Sequence, residues 1–162
     1  MKAISIWQPF ASLIAGGYLH VEPRIWKPPA DFIGKRIALH ASKHYNDLVQ
    51  KAISELWCKH PPNGCGHTKQ ELPWGALIAT GVITRVYDEA DQEAREHRLI
   101  AKSRPMLQYH LTSRRGAWLW LIEDVRRFKQ PIPVRGFLKF WNLDEFEEPR
   151  VLNAEIWKDP CD

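Results

Sequence analysis

The apolar runs in this chain are short, and proline or glycine stands between many of them. The longest, Leu77 to Val86 and Ala117 to Ile122, have the length of strands and fall well short of the ~20 residues that a membrane helix needs. Between the runs stand Gln8-Pro9, Gly16-Gly17, a proline-rich turn from Lys27 to Gly34, Pro73, Pro131-Ile132-Pro133 and Gly136. A chain punctuated this way builds many short elements. Its 162 residues supply one hydrophobic core of ordinary size. With 44% apolar and 26% charged residues, neither a disordered nor a fibrous class fits. Lys2 precedes an apolar stretch, but Gln8-Pro9 ends it before a secretory core can form, so a cytoplasmic location is expected. Three cysteines, an odd number in a chain of this size, argue against a disulfide framework.

Local patterns give the order of elements. Ala3 to Trp7 reads as a strand, and Pro9 suits the first turn of a helix with Phe10, Leu13 and Ile14 on one face, ended by Gly16-Gly17. Val21 to Trp26, interrupted by Pro23, reads as an edge strand or a loop. Arg36 to Ala41 is a second strand, and Ser42 or Asn46 can cap a helix whose stripe is Leu48, Val49, Ala52, Ile53, Leu56 and Trp57. Residues 58–73 read as a loop insertion. Gly75 to Tyr87 is a long strand with Gly81 as a bulge, Glu89 to Lys102 an exposed helix, and Ala117 to Phe128 a strand that Pro131-Ile132-Pro133 breaks. Gly136 to Trp141 and Val151 to Trp157 complete the strands. The fold class is α+β, a small closed or partly closed barrel with peripheral helices.

Charge is unevenly placed along the chain. The net charge is +4, but Lys102 to Lys139 holds nine Lys/Arg against two acidic residues, while Phe140 to Asp162 holds two against seven. A basic face of this kind is the electrostatic footprint of a nucleic-acid binder, or else an ordinary solvated surface. The eight tryptophans favour the first reading, since aromatic platforms among cations are what unpaired bases stack on.

Six blocks, taken in order, are similar to the ASCH domain of the PUA-like superfamily. They are Ile4-Ser5-Ile6-Trp7-Gln8-Pro9-Phe10-Ala11, Gly17 through Glu22-Pro23-Arg24 and Trp26, His40-Ala41-Ser42-Lys43, Leu72-Pro73-Trp74-Gly75-Ala76, Gly116-Ala117-Trp118-Leu119-Trp120, and Pro131-Ile132-Pro133-Val134-Arg135-Gly136 with Phe140-Trp141. The resemblance spans residues 2–143 and implies one PUA-like β-barrel domain over 1–162, with 144–162 as an acidic extension. It also implies a cleft between the barrel and the first helix that holds RNA or another nucleic acid. The family pattern G-x-K-x-x-E-x-R, started at Gly17, puts Leu19 where the lysine stands and keeps Glu22 and Arg24. Some small family members hydrolyse acylated cytidine with that lysine and a threonine at the glutamate position. Leu19 and Glu22 match neither role, and His20 is the nearest substitute base.

Glu22 and Arg24 are two apart, so on extended backbone both face one side and can read one nucleotide, or can bond to each other and fix the loop. Trp26 shares their parity and can stack a base or pack in the core. His40, Ser42 and Lys43 lie where a strand feeds a helix, where free N–H groups and a cation suit a phosphate. Gln8 and Arg135, both within family blocks, complete the nucleic-acid-binding set of Gln8, Glu22, Arg24, Trp26, Ser42, Lys43 and Arg135. Trp118 and Trp120 share a strand face and read as core. Catalysis would draw on Glu22, Lys43 and Tyr45, which do not by themselves form a complete constellation. No cofactor is expected, with one alternative. Cys58, His60, Cys65 and His67 are four zinc-type ligands within ten residues, in a spacing that makes ligation by both members of each pair awkward.

The expected function is a nucleic-acid-binding module, monomeric and not at a membrane, taking RNA or a single-stranded or flipped base, including a modified nucleoside. The alternatives are a nuclease or modified-nucleobase hydrolase in the same cleft, and a protein-interaction domain with a basic face.

Overall fold

The computed structural model describes residues 1–57, 72–111, 116–154 and 156. The elements run β1 (Lys2–Ile6), α1 (Phe10–Ala15), β2 (Val21–Arg24), a 3-10 turn (Ala30–Phe32), β3 (Arg36–Ala41) and α2 (Asp47–Ala52), which passes into a π-turn at Ile53–Trp57. They continue with β4 (Ala76–Asp88), α3 (Gln92–Glu96), α4 (Arg98–Leu111), β5 (Trp118–Pro133), β6 (Phe140–Asn142) and α5 (Glu147–Leu152). One mixed sheet holds all six strands in the order β2-β5-β4-β3-β1-β6. Only β1 and β3 are parallel. The sheet curls into a half-barrel flanked by helices, which is the expected α+β class.

Both faces of the central strands are covered. Ile4, Ile6, Ile37, Leu39 and Ala41 point into the main core with α1, while Ala3 and Ala38, on the opposite parity, join Leu77, Phe128, Ile132, Trp141, Leu143 and Val151 in a second cluster. The segment after β6 covers that second cluster, so the acidic extension packs back on the sheet. The Met1 ammonium pairs with Glu148 there. The barrel seam, where β2 and β6 are the free edges, is spanned by side chains. Trp26 meets Trp120 and Phe140 edge-on at 4.7 and 5.7 Å between ring centroids, and Phe32 stacks on Phe140 at 4.3 Å.

Several boundaries differ from the sequence reading, each for a local reason. Pro131-Ile132-Pro133 does not break β5. Ala76 pairs with Pro133 and Leu77 with Ile132, while β2 pairs only with Trp118 to Leu121, so at this end β5 has no second neighbour that needs the missing N–H groups. Among its described residues, Val151 to Trp157 does not form the expected strand. Helix α5 occupies its start, and Ile156 makes one isolated bridge to Phe128. Gly136 to Trp141 shortens to β6 at Phe140–Asn142 because the preceding residues form a loop. The charged segment after β4 divides at His97 into α3 and α4, and α4 runs on through Pro105. The helix after β3 is capped by Asn46, whose side chain accepts from the Val49 N–H, and Leu48 leaves the apolar stripe for solvent. Among the described residues no helix is long and apolar enough to cross a membrane.

Candidate nucleic-acid interface

A cleft of about 1090 Å³ opens at the C-terminal ends of β1 and β3. The parallel register pairs Ser5 with His40, two residues beyond the Ala3 and Ala38 pair, so both side chains share the face of the second cluster at the point where its apolar cover ends. Trp7 and Ser42 continue from these two strands. The far wall is the loop 134–139 between β5 and β6, and Gly75 closes the base. The expected cleft against the first helix is therefore displaced. All six residues of α1 are buried, Phe10 among them lining a separate small pocket with Leu48, Val49, Tyr109 and His110, and only Trp7 just before the helix contributes to this cleft.

The loop is held at its root. The Val134 N–H donates to the Gly75 carbonyl (3.1 Å), and Ser5 Oγ donates to the Phe137 carbonyl (2.9 Å) while lying 3.1 Å from His40 Nδ1. A hydroxyl whose hydrogen is held by a carbonyl is a positioned group and not an activated nucleophile. Burial holds the His40 imidazole below its ordinary pKa of 6.5, with Lys43 adding in the same direction and a backbone hydrogen bond at Val134 opposing. His40 is thus neutral at pH 7. Since the unfolded chain takes up a proton near pH 6.5 that folded His40 refuses, its contribution to stability is present above pH 6.5 and is lost as pH falls below it. Urea unfolding at pH 7 and pH 5 should show a smaller loss of stability in His40→Gln than in the wild type; equal losses would place the titration elsewhere, His20 being a second histidine lowered chiefly by burial.

Arg24, Lys43, Arg135 and Lys139 line the cleft together with His40, His44 and the aromatic rings of Trp7 and Phe137, and among the described residues no carboxylate does so. Arg24 reaches in across the seam. Its Nε lies 2.8 Å from Glu22 Oε1, and its terminal nitrogen donates to the Ser5 carbonyl (2.6 Å), which lies beyond the last β6 pairing at Ile4. The Lys43 stem lies on Gly75, where a Cβ would collide with it. Trp7 stacks on His44 at 4.4 Å and 25°.

Of the residues singled out in the sequence, Arg24, Ser42, Lys43 and Arg135 come together here. Glu22, Trp26 and Gln8 do not line the cleft. Glu22 pairs across the sheet with Trp120 and so faces the barrel interior, 1% exposed, behind Arg24. Trp26 packs in the seam, and Gln8 is enclosed, its amide donating to the Pro73 carbonyl and accepting from the Ser12 N–H. Trp120 is fully buried and Trp118 is partly buried at the edge of the same core. The helix-terminus site drawn for Ser42 and Lys43 is corrected. The helix begins at Asp47, and Ser42 Oγ accepts from the His44 N–H in a local turn instead. Tyr45 rests edge-on against Trp74. Cys58, His60, Cys65 and His67 lie outside the described residues, among which no group of three or more metal-type side chains occurs. The sequence reading missed Ser5, Trp7, His44, Phe137, Leu138 and Lys139 as cleft residues. The apolar pair between two cations just after Pro133 was the visible signal.

No protein-family profile and no curated protein matches the chain. Solved structures do. The ASCH protein of Zymomonas mobilis superposes with a TM-score of 0.55 at 17% identity over 93% of this chain and 92% of that one. A tyrosine-to-phenylalanine variant of it gives 0.55 at 15% identity over 93% and 95%, and a serine-to-alanine variant 0.55 at 17% over 93% and 93%. At these identities the likeness is one of fold: the chain has the ASCH fold.

Proposed function

We propose that this ASCH-fold protein binds RNA or another single-stranded nucleic acid, taking an unpaired base into the cleft between the ends of β1 and β3 and the loop 134–139. The observation that carries the reading is the composition of the lining: four Lys/Arg side chains, two histidines and two aromatic rings, with no carboxylate among the described residues. Clustered cations follow a phosphate backbone, and an indole offers a sequence-tolerant stacking face. Trp7 is that platform, with His44 yielding its place to a base. The volume, at the top of the range of about 300 to 1,000 Å³ typical of ligand sites, accommodates a nucleotide with a flanking phosphate.

Lys43→Ala and Arg135→Ala, both exposed positions, should each weaken binding to all single strands alike. Each should reduce the slope of log affinity against log salt by about 0.7, the value for one phosphate contact on a single strand. Titrations of short homopolymers at several salt concentrations read this directly. Unchanged affinity and slope in both variants would remove the cleft from the interface.

A further inference from the structure

We infer that the loop 134–139 is a wedge, and that the nucleic acid entering the cleft is base-paired, with one nucleotide extruded into the cavity and Leu138 inserted in the place it leaves. The inference rests on the cleft reading above and extends its ligand from single strands to a paired strand from which one base is drawn out.

Leu138 is 93% exposed and Phe137 52%, an apolar tip on the very wall of the cationic cleft. The tip is not slack. Below it, Val134 and the Phe137 carbonyl are hydrogen-bonded to β4 and β1 flanks, and Gly136 packs so closely on His40 and Ser5 that a Cβ would not fit. The Phe137 ring is braced by Trp141 at 5.4 Å and by the Arg135 guanidinium 5.6 Å away, leaving Leu138 as the protruding group. Lys139 holds a φ of +57°, a left-handed conformation that non-glycine residues adopt at a cost, and it turns the chain from the tip into β6. A fixed, nearly fully exposed aliphatic residue between two cations matches the apolar wedges that part a base step while neighbouring cations hold the phosphates. Extrusion loses stacking and pairing, and burying an aliphatic side chain between the remaining bases offsets part of that loss.

Charge separates this tip from Phe146, which is 74% exposed but stands among Asp144, Glu145, Glu147 and Glu148, where a phosphate backbone is repelled. At the loop, Arg135 and Lys139 flank the apolar pair on both sides, and the cavity that would receive the extruded base is directly adjacent.

The test uses RNA and DNA hairpins and matching single strands with wild-type protein and Leu138→Ala, a surface change that leaves the core intact. Imino-proton spectra of the hairpin should lose the signal of one pair on binding while the flanking pairs remain. Leu138→Ala should retain that signal and weaken hairpin binding about tenfold, a larger loss than it causes for the matching single strand. The hairpin that responds identifies RNA or DNA as the source of the base step. Binding of single strands alone, or pair opening that Leu138→Ala leaves unchanged, overturns the wedge and spares the cleft reading. Binding of neither form overturns both. Self-association abolished by Leu138→Asp, with hairpins unaffected, would assign the tip to protein contact and overturn the wedge.

Discussion

A single methyl group at position 136 is expected to disable the cleft more completely than loss of any one of its cations. In Gly136→Ala the new Cβ would lie well inside contact distance of the His40 ring and 2.8 Å from Ser5 Oγ, and neither neighbour is the free end of a flexible chain. His40 is buried between the sheet and Trp141, and Ser5 is fixed by its strand. The loop must therefore retreat, which breaks the Ser5 bond to the Phe137 carbonyl and carries Arg135, Leu138 and Lys139 away together. Overpacking of this kind costs about 1 to 3 kcal/mol of stability, within what a domain of this size tolerates. Nucleic-acid affinity should fall by more than about tenfold, because several phosphate contacts are displaced at once. Affinity and melting temperature measured on the same preparation distinguish the outcomes, and wild-type affinity in this variant would detach the loop from the interface.

Arg24→Ala should give the largest loss of stability. It withdraws the guanidinium from a carboxylate that is 1% exposed and from the Ser5 carbonyl at the open seam. Removing one partner of a buried ion pair costs about 3 to 5 kcal/mol, of which His110 Nε2, 3.8 Å from Glu22 Oε2, offsets a part. At roughly 2 to 4 °C per kcal/mol for a domain of this length, the melting temperature should drop by about 10 °C. Glu22→Gln in the same chain removes the stranded charge while preserving shape, so the double variant should be more stable than Arg24→Ala alone. A double variant no better than the single would mean that the Ser5 bond, and not the pair with Glu22, dominates.

Most strands were legible as short apolar runs set between turn and polar residues. Arg36 to Ala41 appears as β3 without adjustment, and Gly81 marks a shift in the β4–β5 register as its missing side chain suggested. The same reasoning failed where a residue's neighbours decide. Whether Pro131 and Pro133 end a strand depends on how many strands flank it, which no local pattern contains. The site shows the same division. Parity correctly put Glu22 and Arg24 on one face, but only the cross-strand pairing with Trp120 and Trp118 reveals that this face is the barrel interior, with Arg24 alone reaching the mouth. Ser5 and His40 become neighbours through the parallel register of strands far apart in sequence, which spacing cannot signal.

The strand order has a further consequence for the way the chain acquires this shape. β1 lies between β3, made soon after it, and β6, made more than a hundred residues later, and the Met1 ammonium is paired with Glu148. During synthesis from the N-terminus, the β1 edge must wait, unladdered, until Phe140–Asn142 has emerged. Contacts of such long sequence separation slow folding, and an exposed strand edge invites pairing with other chains in the interval. The early strands therefore face a long period of vulnerability that ends only when the short β6 and the segment carrying Glu148 close over the edge of β1.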